Sequence, residues 1–273
     1  MKERWVTRLQ SLTRRARKRL GERVLREPFQ LSSATGYRTV GAVWRPREGR
    51  ARSAVVLCPG TDDAAAVFEG WSQPLNAPEI ASNGVLAVVF DPAGRGGSWG
   101  PEDYGGLEHQ DQLRVVVEYV RANYRPEVLG VVAISLGLAM ACGGVVRHGL
   151  PVDWVLDWEG PSDREIITAG GSIMEPALGH GLDDEHYWQP REPVRHVGQL
   201  PCPYIRVQAE RDHAQPGELR HAHRMIEAAS EGKLPWFQLN EHRRNELPTS
   251  VRWYPSGRLA ANRTLMTWME RLT

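Results

Sequence analysis

The stretch Gly130-Val-Val-Ala-Ile-Ser135-Leu-Gly137 decides the reading of this chain. A buried apolar run, Val128–Ile134, leads directly into Ser135, and a segment dense in small residues follows: Gly137, Ala139, Ala141, Gly143 and Gly144. An apolar strand that turns sharply into a helix lifts the serine hydroxyl above the end of a sheet. Small residues two positions to either side, here Ala133 and Gly137, relieve the crowding of that turn. The start of a helix beneath Ser135 also favours developing negative charge. Ser135 is therefore a candidate nucleophile.

Outward from this turn the same texture repeats. Short Val-rich apolar runs stand at Ala54–Cys58, Val85–Phe90, Val152–Trp158, Tyr204–Ala209 and Trp236–Leu239, bounded by Gly, Pro or Asp. Runs this short and this continuously apolar suit strands covered on both faces. Helical stripes alternate with them: Leu113, Val116, Val117 and Val120, then Leu259, Leu265, Met266, Met269 and Leu272. Strand–helix alternation implies an α/β architecture, a mostly parallel sheet of about eight strands with ligands bound at the strands' carboxyl ends. Phe29–Trp44 reads as an extended hairpin turning at Gly36 and Tyr37. Residues 159–200 hold more chain than one crossover needs, and are read as a small lid with one or two short helices.

Composition narrows the class. With 273 residues, net charge +1, 41% hydrophobic and 25% charged residues, the chain has ordinary globular proportions and no overall pull toward nucleic acid or membrane. No apolar run approaches the ~20 residues of a bilayer span, and the basic N-terminus lacks the apolar core of a secretory signal. Cys58, Cys142 and Cys202 are an odd number without metal-ligand spacing, which reads as buried thiols in a reducing, cytoplasmic setting. Nucleotide-phosphate and dinucleotide fingerprints and zinc spacings are not found, so no cofactor and no metal are expected. Residues 1–28 form a separate zone, a basic amphipathic helix with Trp5, Leu9, Leu12, Ala16 and Leu20 on one stripe. Such a helix can lie on an anionic membrane or dock a partner. Packing on its own domain is preferred, because strands begin just after Pro28 without a flexible linker.

Three further motifs complete a resemblance. Phe90-Asp91-Pro-Ala-Gly94-Arg95-Gly96-Gly97-Ser98 ends a strand, and its Asp91 and Ser98 are expected to brace the turn. Leu57-Cys58-Pro59-Gly60-Thr61-Asp62 ends another. Pro203-Tyr-Ile-Arg-Val-Gln-Ala-Glu-Arg-Asp212-His213 ends a third, with Asn240-Glu241-His242 after the next. Together with the Ser135 turn, this set resembles the α/β-hydrolase fold family, its serine esterase and acyl-peptidase branch, over roughly residues 29–273. The resemblance implies a Ser-Asp-His triad of Ser135, Asp212 and His242, with backbone amides of Thr61 and Leu136 holding an oxyanion. Pro59-Gly60 stands where the family often has His-Gly, Ala133 replaces a glycine, and Glu241 stands where a glycine usually precedes the histidine.

Several alternatives stay open on the residues alone. His213, beside the proposed acid, is the rival base, while His221 and His223 are read as surface residues of an intervening helix. Asp157 and Glu159 could supply an alternative acid, a structural role at the lid entrance being preferred. Trp158, Tyr187 and Trp188 are candidates for an apolar acyl or aryl pocket or for simple core. The activity implied is hydrolysis of a small-molecule ester, with a peptidase or amidase on the same residues next. A non-catalytic binding protein of the same fold is a third reading, since fold alone does not establish activity.

Overall fold

A computed structural model describes residues 21–70, 75–169, 179–210, 212, 219–244 and 266–273, with the backbone alone at 169 and 242–244. Most of the N-terminal helix, residues 1–20, lies outside that set, as do His213 and positions 259 and 265 of the C-terminal stripe. The chain opens with a hairpin of β1 (Val24–Ser32) and β2 (Arg38–Pro46), closed where the Ser33 amide donates to Tyr37 O at 2.9 Å and Gly36 takes φ +85°. β1 reaches back to Val24, earlier than the sequence pattern suggests, because its register with β2 runs unbroken from Val24↔Pro46 to Ser32↔Arg38. β3 (Ser53–Cys58), α1 (Ala66–Glu69), α2 (Ala77–Ser82), β4 (Val85–Phe90), α3 (Leu107–Asn123), β5 (Val128–Ile134) and α4 (Gly137–His148) follow. Then come β6 (Trp154–Trp158), three short helices α5 (Arg164–Ala169), α6 (Glu185–Trp188) and α7 (Val194–Val197), and β7 (Tyr204–Val207). α8 (Arg220–Glu231), β8 (Phe237–Leu239), β9 (His242–Arg244) and a helix α9 at 266–272 end the described chain.

Nine strands among the described residues form one sheet in the order β1-β2-β4-β3-β5-β6-β7-β8-β9. β3 to β8 run parallel, β1 and β2 add an antiparallel edge, and the three-residue β9 folds back on β8. Alternation along each central strand feeds two cores, as a sheet covered on both sides requires. Val56, Cys58, Val131, Ala133 and Val155 face α3, α4 and α8. Val55, Leu57, Val132, Leu156 and Ile205 face α1, α2 and α9. A Val or Leu fully buried this way stabilises the fold by ~1.5–3 kcal/mol. No helix among the described residues is long and apolar enough to cross a membrane. The lid segment carries short helices, and positions 170–178 within it lie outside the described residues.

The loop after β4 is braced as its sequence implies. Asp91 accepts from Gly97 N at 2.7 Å and Ala65 N at 2.8 Å, while Ser98 Oγ donates to Asp91 O at 2.6 Å. Beneath it, the buried His109 accepts the Gly105 amide on Nδ1 and reaches Ala93 O with Nε2, both at 3.0 Å. Nδ1 accepts, so Nε2 carries the proton. Burial and then the nearby Arg95 charge press the His109 pKa down to about 4. The unfolded chain, near ~6.5, takes this proton first. The stability conferred by His109 is therefore complete above ~6.5 and disappears as pH falls toward about 4, a loss of order 3 kcal/mol. We expect urea midpoints measured at pH 7 and about pH 4.5 to differ less in His109→Gln than in the native chain. An equal acid loss in both would contradict this assignment.

Candidate active site

β5 delivers Ser135 to the carboxyl end of the sheet, with its backbone in the left-handed region at φ +52°. For a residue with a β-carbon this costs on the order of 1–3 kcal/mol, and surrounding structure must impose it. The Ser135 amide still pairs with Trp158 O at 3.0 Å, extending the β5–β6 ladder, while its carbonyl already accepts from Leu138 N at 3.1 Å and starts α4. One residue thus ends a strand and begins a helix. Gly137 makes this close turn feasible, since a β-carbon there would lie 2.6 Å from the carbonyl oxygens of both Cys58 and Pro59.

The loop after β3 passes equally close. A β-carbon on Gly60 would stand 3.2 Å from Ser135 Cβ, so Thr61 follows directly beside the serine. Arg95 fixes this loop: Nη1 donates to Gly60 O and, at 3.1 Å, to Asp63 O, while Nε and Nη2 bind Glu102 at 2.6 and 2.7 Å. Burial works against the Glu102 charge, but the guanidinium prevails and holds its carboxyl below the ordinary range. The first amides of a helix have no partner inside it. The Leu136 amide stands at the start of α4, and Thr61 follows Gly60 in the loop packed against Ser135.

Asp212 follows β7 and is buried, at 3% exposure. Its Oδ2 accepts from Gln208 Nε2 at 3.0 Å and lies 3.1 Å from His221 Nε2. Asn240 clasps β7 to β8, accepting from Gln208 N at 2.8 Å and donating to Gln208 O at 3.0 Å. With Asn240 at φ +51°, the chain turns at once and His242 becomes the first residue of β9, opposite Leu239. Ser135, Asp212 and the His242 backbone therefore come from the same ends of the parallel strands β5, β7 and β8. The His242 side chain and the whole of His213 lie outside the described residues.

His221 departs from expectation. It is 1% exposed, because positions 221, 225 and 229 share the buried stripe of α8 with Ala222 and Ile226. His223 is exposed, as read. Beside His221 stand two residues that the sequence pattern passed over, Arg206 and Gln208, both fully buried. Their signal was the alternation of polar Tyr204, Arg206 and Gln208 with apolar Ile205, Val207 and Ala209 in one strand. Asp157 takes a structural place in this group, accepting from Tyr204 OH at 2.5 Å, Arg206 Nη1 at 2.6 Å and Gly160 N at 2.7 Å. Burial pushes the Asp157 carboxyl up, against the pull of Arg206. Glu159 accepts from Ala209 N at 2.9 Å and so ties β6 to the chain beyond β7.

The aromatic candidates separate. Trp158 packs with the core on the α1/α2 side of the sheet, and its carbonyl receives the Ser135 amide. Trp188 is buried in the lid, its indole N–H donating to Gly181 O at 2.9 Å. Tyr187 has the His180 ring at 3.9 Å and the Arg191 guanidinium at 3.8 Å from its ring centre. Trp188 and Ile167 close over Leu136 and Ala139, with Tyr104 and Tyr187 at the margin, so the lid rests on the residue after Ser135. Gln110 Nε2 donates to Pro190 O at 2.7 Å and Arg191 pairs with Asp103, holding the lid to the start of α3.

No protein-family model matches the sequence, and no curated protein matches it. Solved structures do. The chain is similar to the Pyrococcus furiosus esterase Pf2001, with a TM-score of 0.66 and 14% identity over 93% of this chain and 95% of that one. A cold-adapted esterase from an Arctic intertidal metagenomic library gives 0.61 and 16% over 92% and 94%. An acylaminoacyl peptidase bound to Z-Gly-Gly-Phe-chloromethyl ketone gives 0.63 and 17% over 91% of this chain and 42% of the peptidase. Strand order, the strand–serine–helix turn and these likenesses agree: the chain has the α/β-hydrolase fold.

The crowding at Gly137 yields a direct test. In Gly137→Ala the new methyl meets backbone oxygens that cannot rotate away, so β3 and α4 must part. We expect a loss of about 1–3 kcal/mol in urea unfolding. A midpoint unchanged from the native chain would show that this contact does not constrain the turn.

Proposed function

We propose that this protein is a serine hydrolase that cleaves small carboxylic esters through an acyl-enzyme on Ser135, with Asp212 and His242 completing the triad. The observation that carries the reading is the left-handed Ser135 between β5 and α4, flanked by the amide-bearing loop at Thr61. In this reading His242 removes the Ser135 hydroxyl proton as the oxygen attacks the ester carbonyl, and Asp212 orients the imidazole and balances its charge. The Thr61 and Leu136 amides receive the oxyanion without reorganising, because Arg95 and α4 hold their backbones. His242 then returns the proton to the leaving alcohol, and a water activated by the same base releases the acid. The chemistry calls for no metal or cofactor, and the partner is the small ester itself.

Whole-length likeness to two esterases supports ester over amide, since the peptidase that the chain resembles is more than twice the length matched. The same residues would serve a peptidase or amidase, and paired aryl esters and anilides distinguish the two. Cys58, Cys142 and Cys202 are free and buried, which fits a reducing cytoplasm.

On p-nitrophenyl acetate or butyrate, Ser135→Ala should cut turnover by a factor approaching ~10⁶ while the fold is kept. His242→Ala should come close to it and His213→Ala stay mild, with native activity rising through the histidine range near ~6.5. A dead His213→Ala beside an active His242→Ala would reassign the base. An active Ser135→Ala would end the serine reading.

A further inference from the structure

Arg206 lies wholly buried between two carboxylates and contacts two groups that approach Asp212 Oδ2, Gln208 and His221. Its Nη2 donates to Gln208 Oε1 at 2.6 Å and meets His221 Nδ1 at 3.2 Å. A guanidinium has only donors and does not give up a proton in a protein. Whatever it touches must therefore accept. This settles the Gln208 amide, with its oxygen toward Arg206 and its NH2 toward Asp212. It settles the imidazole as well. A proton on Nδ1 of His221 could reach Gly160 O, also at 3.2 Å, but would face an Arg206 N–H. Gly160 O already receives Arg206 Nη1 at 2.9 Å. Nδ1 thus holds the lone pair and Nε2 the proton, and Nε2 is the atom 3.1 Å from Asp212 Oδ2, off the line of a straight hydrogen bond.

We propose that Arg206 is a positioning residue for the triad acid: it orients the Gln208 amide so that its NH2 donates to Asp212 Oδ2, and holds the His221 lone pair toward itself so that Nε2 is the nitrogen beside that oxygen. The inference rests on the reading of Asp212 as that acid. Asp157 and Tyr204 hold the guanidinium from the other side, at 2.6 Å from its Nη1 for Asp157 Oδ2, which in turn takes Tyr204 OH at 2.5 Å. Among the described residues, the groups facing the cluster include Asp157 from β6, Tyr204 and Arg206 from β7, Gln208 just beyond it, Cys142 from α4 and His221 from α8. Without Arg206 the amide can flip and the imidazole can exchange tautomers, and either change sets a lone pair against the carboxylate. The donors share the charge of Asp212. When one is lost, more of that charge falls on the protonated base, which then binds its proton more tightly.

Five measurements on the full chain decide the matter. In the native protein, long-range ¹H–¹⁵N correlation should show His221 as the Nε2–H tautomer; an Nδ1–H signal overturns the inference whatever the variants do. Gln208→Met should lower kcat roughly tenfold to a hundredfold, the worth of one hydrogen bond to a charged group, with KM nearly constant. Its acidic limb should move up by roughly half a pH unit. His221→Gln, which can still present an N–H near Nε2, should keep more activity than His221→Leu. Arg206→Met is best read with Asp157→Asn beside it, so that Asp157 is not left as a buried charge without its ion-pair partner, and the pair should reproduce the Gln208→Met profile. Asp212→Asn separates this idea from the triad itself. If Asp212→Asn is dead and Gln208→Met keeps native kcat and pH limb, the positioning role is refuted and the triad stands. If Asp212→Asn is active, the triad fails first.

Discussion

The carbonyl oxygens of Cys58 and Pro59, at the end of β3, press on the first turn of α4 so closely that only glycine fits at position 137. Everything at the carboxyl end of the sheet follows from that approach. It sets how near α4 lies to β3, and so how sharply the chain must turn at Ser135. The turn is sharp enough to drive a serine into the left-handed region, and the strain is sustained by the ladder bond to Trp158 on one side and the helix start on the other. The same approach brings the loop at Gly60 and Thr61 against the serine, where Arg95 locks it. Ser135 and the loop carrying Thr61 are thereby brought together at the carboxyl end of the sheet.

A second constraint lies behind Asp212. Asp157, Arg206, His221 and Asp212 are charged or titratable groups buried from solvent, and each is acceptable only because its neighbours complement it. Removing one member of such a buried pair costs ~3–5 kcal/mol, while replacing both together can be nearly neutral. The network is therefore weak evidence for stability and better evidence for specification. Its single guanidinium fixes the hydrogen-bonding sense of the groups around it, and the sequence of contacts ends on Asp212.

The legible part of this molecule was periodic. Continuous apolar runs at 85–90 and 128–134 marked buried parallel strands, and three- and four-residue spacing marked α3. The serine turn was legible because strand, serine and small residues stand in consecutive order, and Asp91 with Ser98 because turn-bracing is local. What depends on long-range placement was not. Arg95 acts on a loop more than thirty residues earlier, and nothing adjacent to it in sequence marks that role. His221 looked like a surface residue because imidazole is polar, although it sits on the stripe of Met225 and Ala229. Arg206 and Gln208 were hidden in an apolar strand, since their partners come from β6 and α8. β9 has only three residues, polar throughout, and carries no strand pattern of its own.

The activated state of Ser135 is the point on which the functional reading turns. It is measured most directly by intact-mass analysis after exposure of the folded protein to a fluorophosphonate, followed by peptide mapping. A serine held beside a base and two amides should take up one equivalent, on Ser135 and on no other residue, with labelling slowed at acid pH. A folded protein that remains unlabelled, or that labels elsewhere, would contradict the assignment and leave a fold that binds its ligand without cleaving it.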